Sequence, residues 1–326
     1  MSRLVTIFGG SGFVGRYIAR RMAKAGWRVR VAVRRPNEAL FVKPYGSVGQ
    51  VEPVFCNIRN DASVQAALAG ADAVVNCVGT FQKGGKNNFD AIQVEGAGRI
   101  ARLAKAGGVT SLVHISAIGA DAGSESDYCR TKAGGEAAVL EAFPTAMILR
   151  PSVIFGPEDG FFNRFAGLSR FGPILPLVGA NTRFQPVYVE NVAEAAVLGA
   201  TGAATGVYEI GGPEAQTFRA LMQRMLGVIN RRRLIVNMPF WKARILAWVC
   251  DMAQVMSGGL IHNGLLTRDQ VKTLRLDNVV GDKAKGLSDL GIVPTPMEAV
   301  LPDYLWRFRP SGQYEAIKAS ARNLRT

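Results

Sequence analysis

Three glycines near the N-terminus, Gly9, Gly12 and Gly15, are the residues whose type and spacing speak most directly of chemistry. They sit between a short apolar run, Leu4–Phe8, and a segment in which Val14, Ile18 and Met22 recur at helical spacing. A strand, a glycine turn and a helix in that order let a backbone approach a pyrophosphate closely, at the positive end of the helix dipole. Ser11 and Phe13 belong to the same turn and are expected to share the contact. Arg28 to Val33 then alternates as a second strand, and Arg34 and Arg35 follow it, with no acid before Glu38. An acid there would bind the ribose 2′-hydroxyl of NAD, whereas a guanidinium suits the 2′-phosphate of NADP. The spacing therefore predicts NADP(H), with Arg34 as the main contact and Arg35 in support. The bland alternative is a pair of solvated surface arginines. Asn57 and Ile58, closing a third strand, are where an adenine would rest, and Val78, Gly79 and Thr80 close a fourth beside the ligand crevice.

These residues need a scaffold, and the chain supplies one. Strand-like runs at Val51–Ile58, Ala73–Val78, Leu112–Ser116 and Ala146–Leu149 alternate with helical patterns at Ala62–Ala69, Ala97–Ala106 and Ala133–Ala142. That rhythm predicts an α/β fold, a Rossmann-type doubly wound parallel sheet. After Pro151 it changes: Phe155–Pro186 reads as a long loop-rich stretch, while Asn191–Ala200 and Val207–Ile210 read as a helix and strand returning to the sheet. The chain from Glu214 onward is more helical and more basic. The expected domains are 1–156 with about 184–213, and a smaller, mostly helical domain of about 157–183 with 214–326.

Composition excludes several classes. Apolar residues make up 48% and charged residues 20% of the 326, as in an ordinary globular protein. The four cysteines, Cys56, Cys77, Cys129 and Cys250, lack CxxC spacing and read as reduced thiols. His114 and His262 stand apart, so no metal site is expected. The strand begins too early for a signal peptide, and no run is long enough to span a bilayer. The net charge of +14 draws the chain toward anionic surfaces or acidic partners, yet no nucleic-acid motif accompanies it, so nucleic acid is not expected as a partner.

Tyr128-Cys129-Arg130-Thr131-Lys132, Arg150-Pro151-Ser152-Val153-Ile154-Phe155-Gly156-Pro157, Tyr188-Val189-Glu190-Asn191-Val192-Ala193 and Tyr208-Glu209-Ile210-Gly211-Gly212, following the glycine triplet, resemble the extended short-chain dehydrogenases/reductases. The resemblance implies that Tyr128 is a general acid/base. It implies also that Lys132, on the same helical face, lowers its pKa and holds the nicotinamide ribose. Pro151 and Val153 would join the cofactor contacts. The family expects a hydroxyl just after the fifth strand. Ser116 lies one or two residues early, and Ala117 and Ile118 occupy the usual register, so the pair is read as vestigial and Ser116 as a pocket residue.

A narrower resemblance covers nearly the whole chain. Glu158-Asp159, Phe162-Asn163-Arg164-Phe165-Ala166, Arg170-Phe171-Gly172-Pro173-Ile174, Leu266-Thr267-Arg268-Asp269-Gln270-Val271 and Asp289-Leu290-Gly291-Ile292-Val293-Pro294 are similar to an atypical branch, the NADPH-binding accessory subunits of respiratory complex I (the proton-pumping NADH:ubiquinone oxidoreductase). This implies a tightly held nucleotide without turnover and a structural role beside the quinone site, where peripheral and membrane arms meet. Length and the absence of a targeting segment fit a bacterial version, peripheral at the cytoplasmic face of the inner membrane. The competing expectation is a free NADP-dependent reductase or epimerase.

The basic C-terminal third adds an independent feature. Trp241, Ile245, Trp248 and Val249 share a helical face, with Lys242 and Arg244 toward the other side. An interfacial helix in contact with lipid or a partner uses that pattern, and so does a helix packed into a core. Met252, Met256, Gly258 and Gly259 would extend an adaptable surface, and the tail from Trp306 to Arg325 would wrap a neighbour or stay loose.

Overall fold

The computed structural model describes residues 2–80, 84–256, 267–310 and 312–314. Gly258, Gly259, His262, Leu266 and most of the tail lie outside them, as do the side chains of Val249, Cys250, Met252 and Met256. The chain forms two compact units: Met1–Ser152 with Val189–Gly211 and Val280–Pro294, and Val153–Tyr188 with Gly212–Val279 and Thr295–Thr326.

The first unit opens with β1 (Leu4–Phe8), α1 (Phe13–Lys24), β2 (Arg28–Val33), β3 (Val51–Phe55), α2 (Asp61–Leu68), β4 (Ala73–Asn76), α3 (Glu95–Ala106), β5 (Ser111–Ile115), α4 (Asp127–Ala142) and β6 (Met147–Pro151). The second takes β7 (Ile154–Phe155), α5 (Phe162–Leu168), β8 (Ile174–Val178), β9 (Arg183–Phe184) and β10 (Val187–Tyr188). The chain returns to the first for α6 (Val189–Ala200) and β11 (Gly206–Ile210). It then leaves for β12 (Gln216–Thr217), α7 (Phe218–Val228), β13 (Leu234–Met238), α8 (Phe240–Met256), α9 (Arg268–Thr273) and, after the 280–294 excursion, α10 (Leu301–Leu305).

Seven parallel strands run in the order β11-β6-β5-β4-β1-β2-β3, the doubly wound arrangement expected. The order reverses between β1 and β4, so a crevice opens at their C-terminal ends, where doubly wound sheets bind ligands. β1 and β4 are buried at every position, the reason apolar residues dominate both, with Thr6 and Asn76 as the buried polar exceptions. Ile100, Leu112, Phe143 and Ile148 fill the core on one side of the sheet. The helix α4 begins at Asp127, ahead of the expected Ala133, because the Ser126 hydroxyl caps the Cys129 N–H and Asp127 sits in the first turn.

Residues 280–294, read from sequence as part of the second domain, join the first. The Glu209 N–H donates to the Lys285 carbonyl (2.8 Å), and the Glu209 carboxylate accepts from the Gly281 N–H (2.9 Å). The breaks at 152/153, 188/189 and 211/212 each fall a few residues from the expected positions.

Phe155–Pro186, expected as a loop-rich stretch, carries α5, β8 and β9 around a ring cluster in which Phe161, Phe162, Phe165, Phe184 and Phe218 meet at centroid distances of 5.1 to 6.0 Å. Beside it, buried Asp159 accepts from the backbone N–H groups of Phe161 and Asn163 (both 3.0 Å) and from the Tyr304 hydroxyl (2.5 Å), which pins α10 to this loop. In α8, Ala243 and Ala247 pack against Val178 and Val271, while Trp241, Ile245 and Trp248 are 57%, 57% and 51% exposed. Among the described side chains of α8, core packing holds for the alanine face and the adjoining Phe240.

Candidate functional site

The turn after β1 is built from contacts that admit no side chain. Gly9 has φ +74°, its N–H donates to the Ala32 carbonyl (3.0 Å), and its own carbonyl accepts from the Gly12 N–H (2.9 Å). A Cβ at Gly15 would fall 2.5 Å from the Gly9 carbonyl oxygen and 2.7 Å from the Gly10 Cα, so glycine lets α1 close onto the turn. The first turn of α1 holds no acid and no side-chain cap, which leaves its positive end for an anion.

A cavity of about 490 Å³ lies over this turn, large enough to seat a dinucleotide's polar linker and a base. Gly9, Ser11, Gly12, Arg34, Asn57, Ile58, Val78 and Gly79 are all among the residues that line it. Phe13, Gly15, Arg35, Ser116, Tyr128, Lys132 and Pro151 lie in the same unit but not on the cavity wall, and Val153 belongs to the other unit. Arg35 pairs with Glu38 at 2.9 Å, both side chains mostly exposed. Phe13 packs edge-on against Tyr17 (6.1 Å) and Gly15 underlies the turn.

Sequence reasoning misses Arg16 and Asn87, whereas Thr80, read at the end of the fourth strand, does line the cavity. Arg16 donates to the Ser11 carbonyl (3.0 Å) and stacks over Phe41 (4.8 Å), bracing the turn from behind. Gln93, itself bonded by Thr131, donates to the Thr80 carbonyl (2.7 Å) and fixes that part of the wall. The Asn87 Oδ1 is buried in the cavity lining and has no hydrogen-bond partner among the described residues, as expected of an acceptor awaiting a ligand donor. No periodicity marks Asn87 in the sequence, because it sits in an irregular loop.

Next to the cavity wall is a buried polar cluster. The Lys132 ammonium donates to the Ile115 carbonyl (3.1 Å), stands 5.9 Å from the centre of the Tyr128 ring and lies 3.8 Å from a Cβ placed at Gly79. Burial pulls its pKa down to about 8, although Glu136 and Cys77 act the other way. Burial and then Cys129 push the Tyr128 phenol up, so the lowered tyrosine implied by the dehydrogenase resemblance is not found here. The Asn76 Oδ1 accepts from the Val78 N–H (3.1 Å), which leaves its amide to donate to His114 Nδ1 (3.1 Å). His114, pulled by burial down to about 3, is therefore neutral with Nε2 protonated, and both that atom and the Ser116 hydroxyl are buried without partners among the described residues. The arrangement can hold a pyrophosphate at the turn, a 2′-phosphate at Arg34 and a ribose near Lys132. As it stands it lacks an activated base.

Residues 6–206 match the 3-beta hydroxysteroid dehydrogenase/isomerase family. The chain is 34% identical over 316 residues to the mitochondrial NADH dehydrogenase (ubiquinone) 1 alpha subcomplex subunit 9 of Arabidopsis thaliana, covering 95% of this chain and 79% of that protein. It is 29% identical over 322 residues to the mitochondrial NADH-ubiquinone oxidoreductase 40 kDa subunit of Neurospora crassa, covering 98% and 83%. The UDP-glucose 4-epimerase of Thermus thermophilus, solved in complex with NAD, shares the fold with a TM-score of 0.69 and 17% identity over 94% of this chain and 99% of that one. The chain belongs to the 3-beta hydroxysteroid dehydrogenase/isomerase family of extended short-chain dehydrogenases/reductases, together with these mitochondrial subunits.

Proposed function

We propose that the protein is a structural accessory subunit of complex I that holds NADPH without turning it over. The observation that carries this reading is the reach of the likeness to the respiratory subunits, 95% of the chain, far beyond the 6–206 span of the general family. In this reading the first unit binds the nucleotide: the Gly9–Gly12 turn takes the pyrophosphate, Arg34 the 2′-phosphate, Asn57 and Ile58 the adenine, and Lys132 the nicotinamide ribose. Bound NADPH is a hydride donor, but Ala117 and Ile118 give a reacting carbonyl no side-chain hydroxyl at the register the wider family uses. The second unit meets neighbouring subunits at the junction of the two arms near the quinone site. It also meets lipid at the cytoplasmic face of a bacterial inner membrane. Two features support a peripheral attachment: no helix among the described residues is long and apolar enough to cross a bilayer, and α8 exposes Trp241, Ile245 and Trp248 in a segment that also carries Lys242 and Arg244.

Acid release of nucleotide from the purified protein tests the cofactor part. The expected result is about one NADPH per chain, retained through gel filtration and unoxidised by a panel of carbonyl substrates. Recovery of NADH alone, or rapid oxidation, would overturn it. A second reading, a free NADP-dependent reductase or epimerase, draws on one observation: Tyr128 and Lys132 stand together beside the crevice. It requires a substrate-dependent absorbance change that Tyr128→Phe abolishes.

A further inference from the structure

In the second unit, α7 and the segment before β13 line an open cavity of about 430 Å³ to which Arg219, Arg231, Arg232 and Arg233 contribute. Neutral carbonyls hold three of these side chains in place: Arg219 donates to Ile235 (3.2 Å), Arg231 to Phe308 (2.8 Å) and Arg233 to Ser169 (2.7 Å). Each anchor satisfies an N–H and leaves the charge uncompensated. No carboxylate among the described residues pairs with any of the four. Arg224 on the same helix makes the contrast, since it pairs with both Glu214 (3.6 Å) and Glu298. Burial, then Arg233 and Arg170, lower the Arg231 pKa, so the fold carries a concentration of like charge that it does not itself neutralise.

The surface beside this cavity is apolar where water would favour polar residues. β13 pairs in parallel with β8, placing Leu234 against Ile174 and Val236 against Pro176. Leu234, Val236 and Ile174 are exposed, and so is Phe171 at the approach to β8. A phosphate alone would use only the arginines, and an apolar partner only the ribbon. A ligand that satisfies both has an anionic head and a hydrocarbon body.

We infer that Arg219, Arg231, Arg232 and Arg233 receive the phosphodiester headgroup of an anionic phospholipid whose acyl chains lie along the exposed face of β8 and β13. The inference rests on the membrane-peripheral reading above and gives that contact a headgroup preference. It separates two roles: α8 would partition into any bilayer, while the arginine cavity selects negative charge.

Flotation of the full-length protein with phosphatidylcholine vesicles, and with vesicles that also contain phosphatidylglycerol, tests it. The wild type is expected to bind the anionic vesicles more tightly. Arg231→Gln with Arg232→Gln should weaken that binding about 25-fold and leave phosphatidylcholine binding unchanged, each basic residue near a charged surface being worth roughly a factor of five. Arg232 makes no side-chain hydrogen bond or ion pair among the described residues, so Arg232→Gln alone serves as a variant whose folding is undisturbed and should lose about fivefold. Leu234→Ser with Val236→Ser should weaken vesicle binding without affecting the capture of soluble glycerol phosphate. An unchanged anionic preference in the arginine variants would overturn the inference, as would capture of inorganic phosphate with no vesicle preference. Loss of complex I association with intact headgroup preference would sink the subunit reading alone.

Discussion

The Lys132 ammonium donates to the Ile115 carbonyl at 3.1 Å, which ties a buried charge to the end of β5. Its folded pKa, about 8, lies below the 10.5 of a free lysine. Between those values the unfolded chain holds a proton that the folded chain has released, so stability rises with pH. Cys77 acts in the opposite sense above its ordinary 9.0, because burial pushes the folded thiol up to about 12. Between pH 8 and 9 Lys132 alone contributes a gain of about 1 kcal/mol, which Cys77 and Cys56, both raised by burial, partly offset. Urea unfolding of nucleotide-free wild type and Lys132→Met should therefore diverge by about 1 kcal/mol across that window, and parallel profiles would contradict the burial of the charge.

Gly15→Ala should damage both fold and binding. The new Cβ would meet the Gly9 carbonyl oxygen at 2.5 Å, and backbone cannot yield as a side-chain tip can. A loss of about 1–3 kcal/mol is expected from overpacking of this kind, with nucleotide affinity falling by more than tenfold as the turn opens. Thermal unfolding and calorimetric titration with NADPH read the two effects separately.

Arg34→Ala should cost NADPH about 10- to 100-fold in affinity and leave NADH nearly unchanged, since a hydrogen bond to a charged group contributes about 1.5–3 kcal/mol. Arg35→Ala should have a much smaller effect, because its guanidinium already pairs with Glu38 and lies off the cavity wall. Equal losses for the two variants would show that the cavity does not discriminate at Arg34.

Tyr304→Phe removes one donor from a carboxylate that is 3% exposed. Burial is the main cause that raises the Asp159 pKa, and the hydroxyl is among the groups that oppose it. The variant should be destabilised by about 1–3 kcal/mol and should titrate Asp159 at higher pH still. Denaturant unfolding and carboxyl carbon NMR check the two parts.

Much of the first unit is legible in the sequence because its elements are locally determined. β1, α1 and β2 follow from an apolar run, a glycine turn and one apolar helical stripe, and the structure places them at Leu4–Phe8, Phe13–Lys24 and Arg28–Val33. The cavity wall from Gly9 to Gly79 could be read because strand ends carry it. Three things resist such reading. Asn87 and Arg16 owe their positions to tertiary contact and leave no pattern. The pairing of β8 with β13 joins segments about 60 residues apart, and Pro176 interrupts the alternation of the first. The return of 280–294 rests on hydrogen bonds to Glu209 that no local propensity reports. The exposure of Trp241, Ile245 and Trp248 was an open choice in the sequence, because the same periodicity serves a buried and an interfacial face.

The most direct test of the structural-subunit claim is to tag the protein in its own cell, solubilise membranes in mild detergent and identify by mass spectrometry what copurifies. Recovery of the complex I subunits that surround the quinone site, in stoichiometric amount, is the expected result. Recovery of the protein alone, from the soluble fraction, would contradict the claim and transfer the weight to a free reductase.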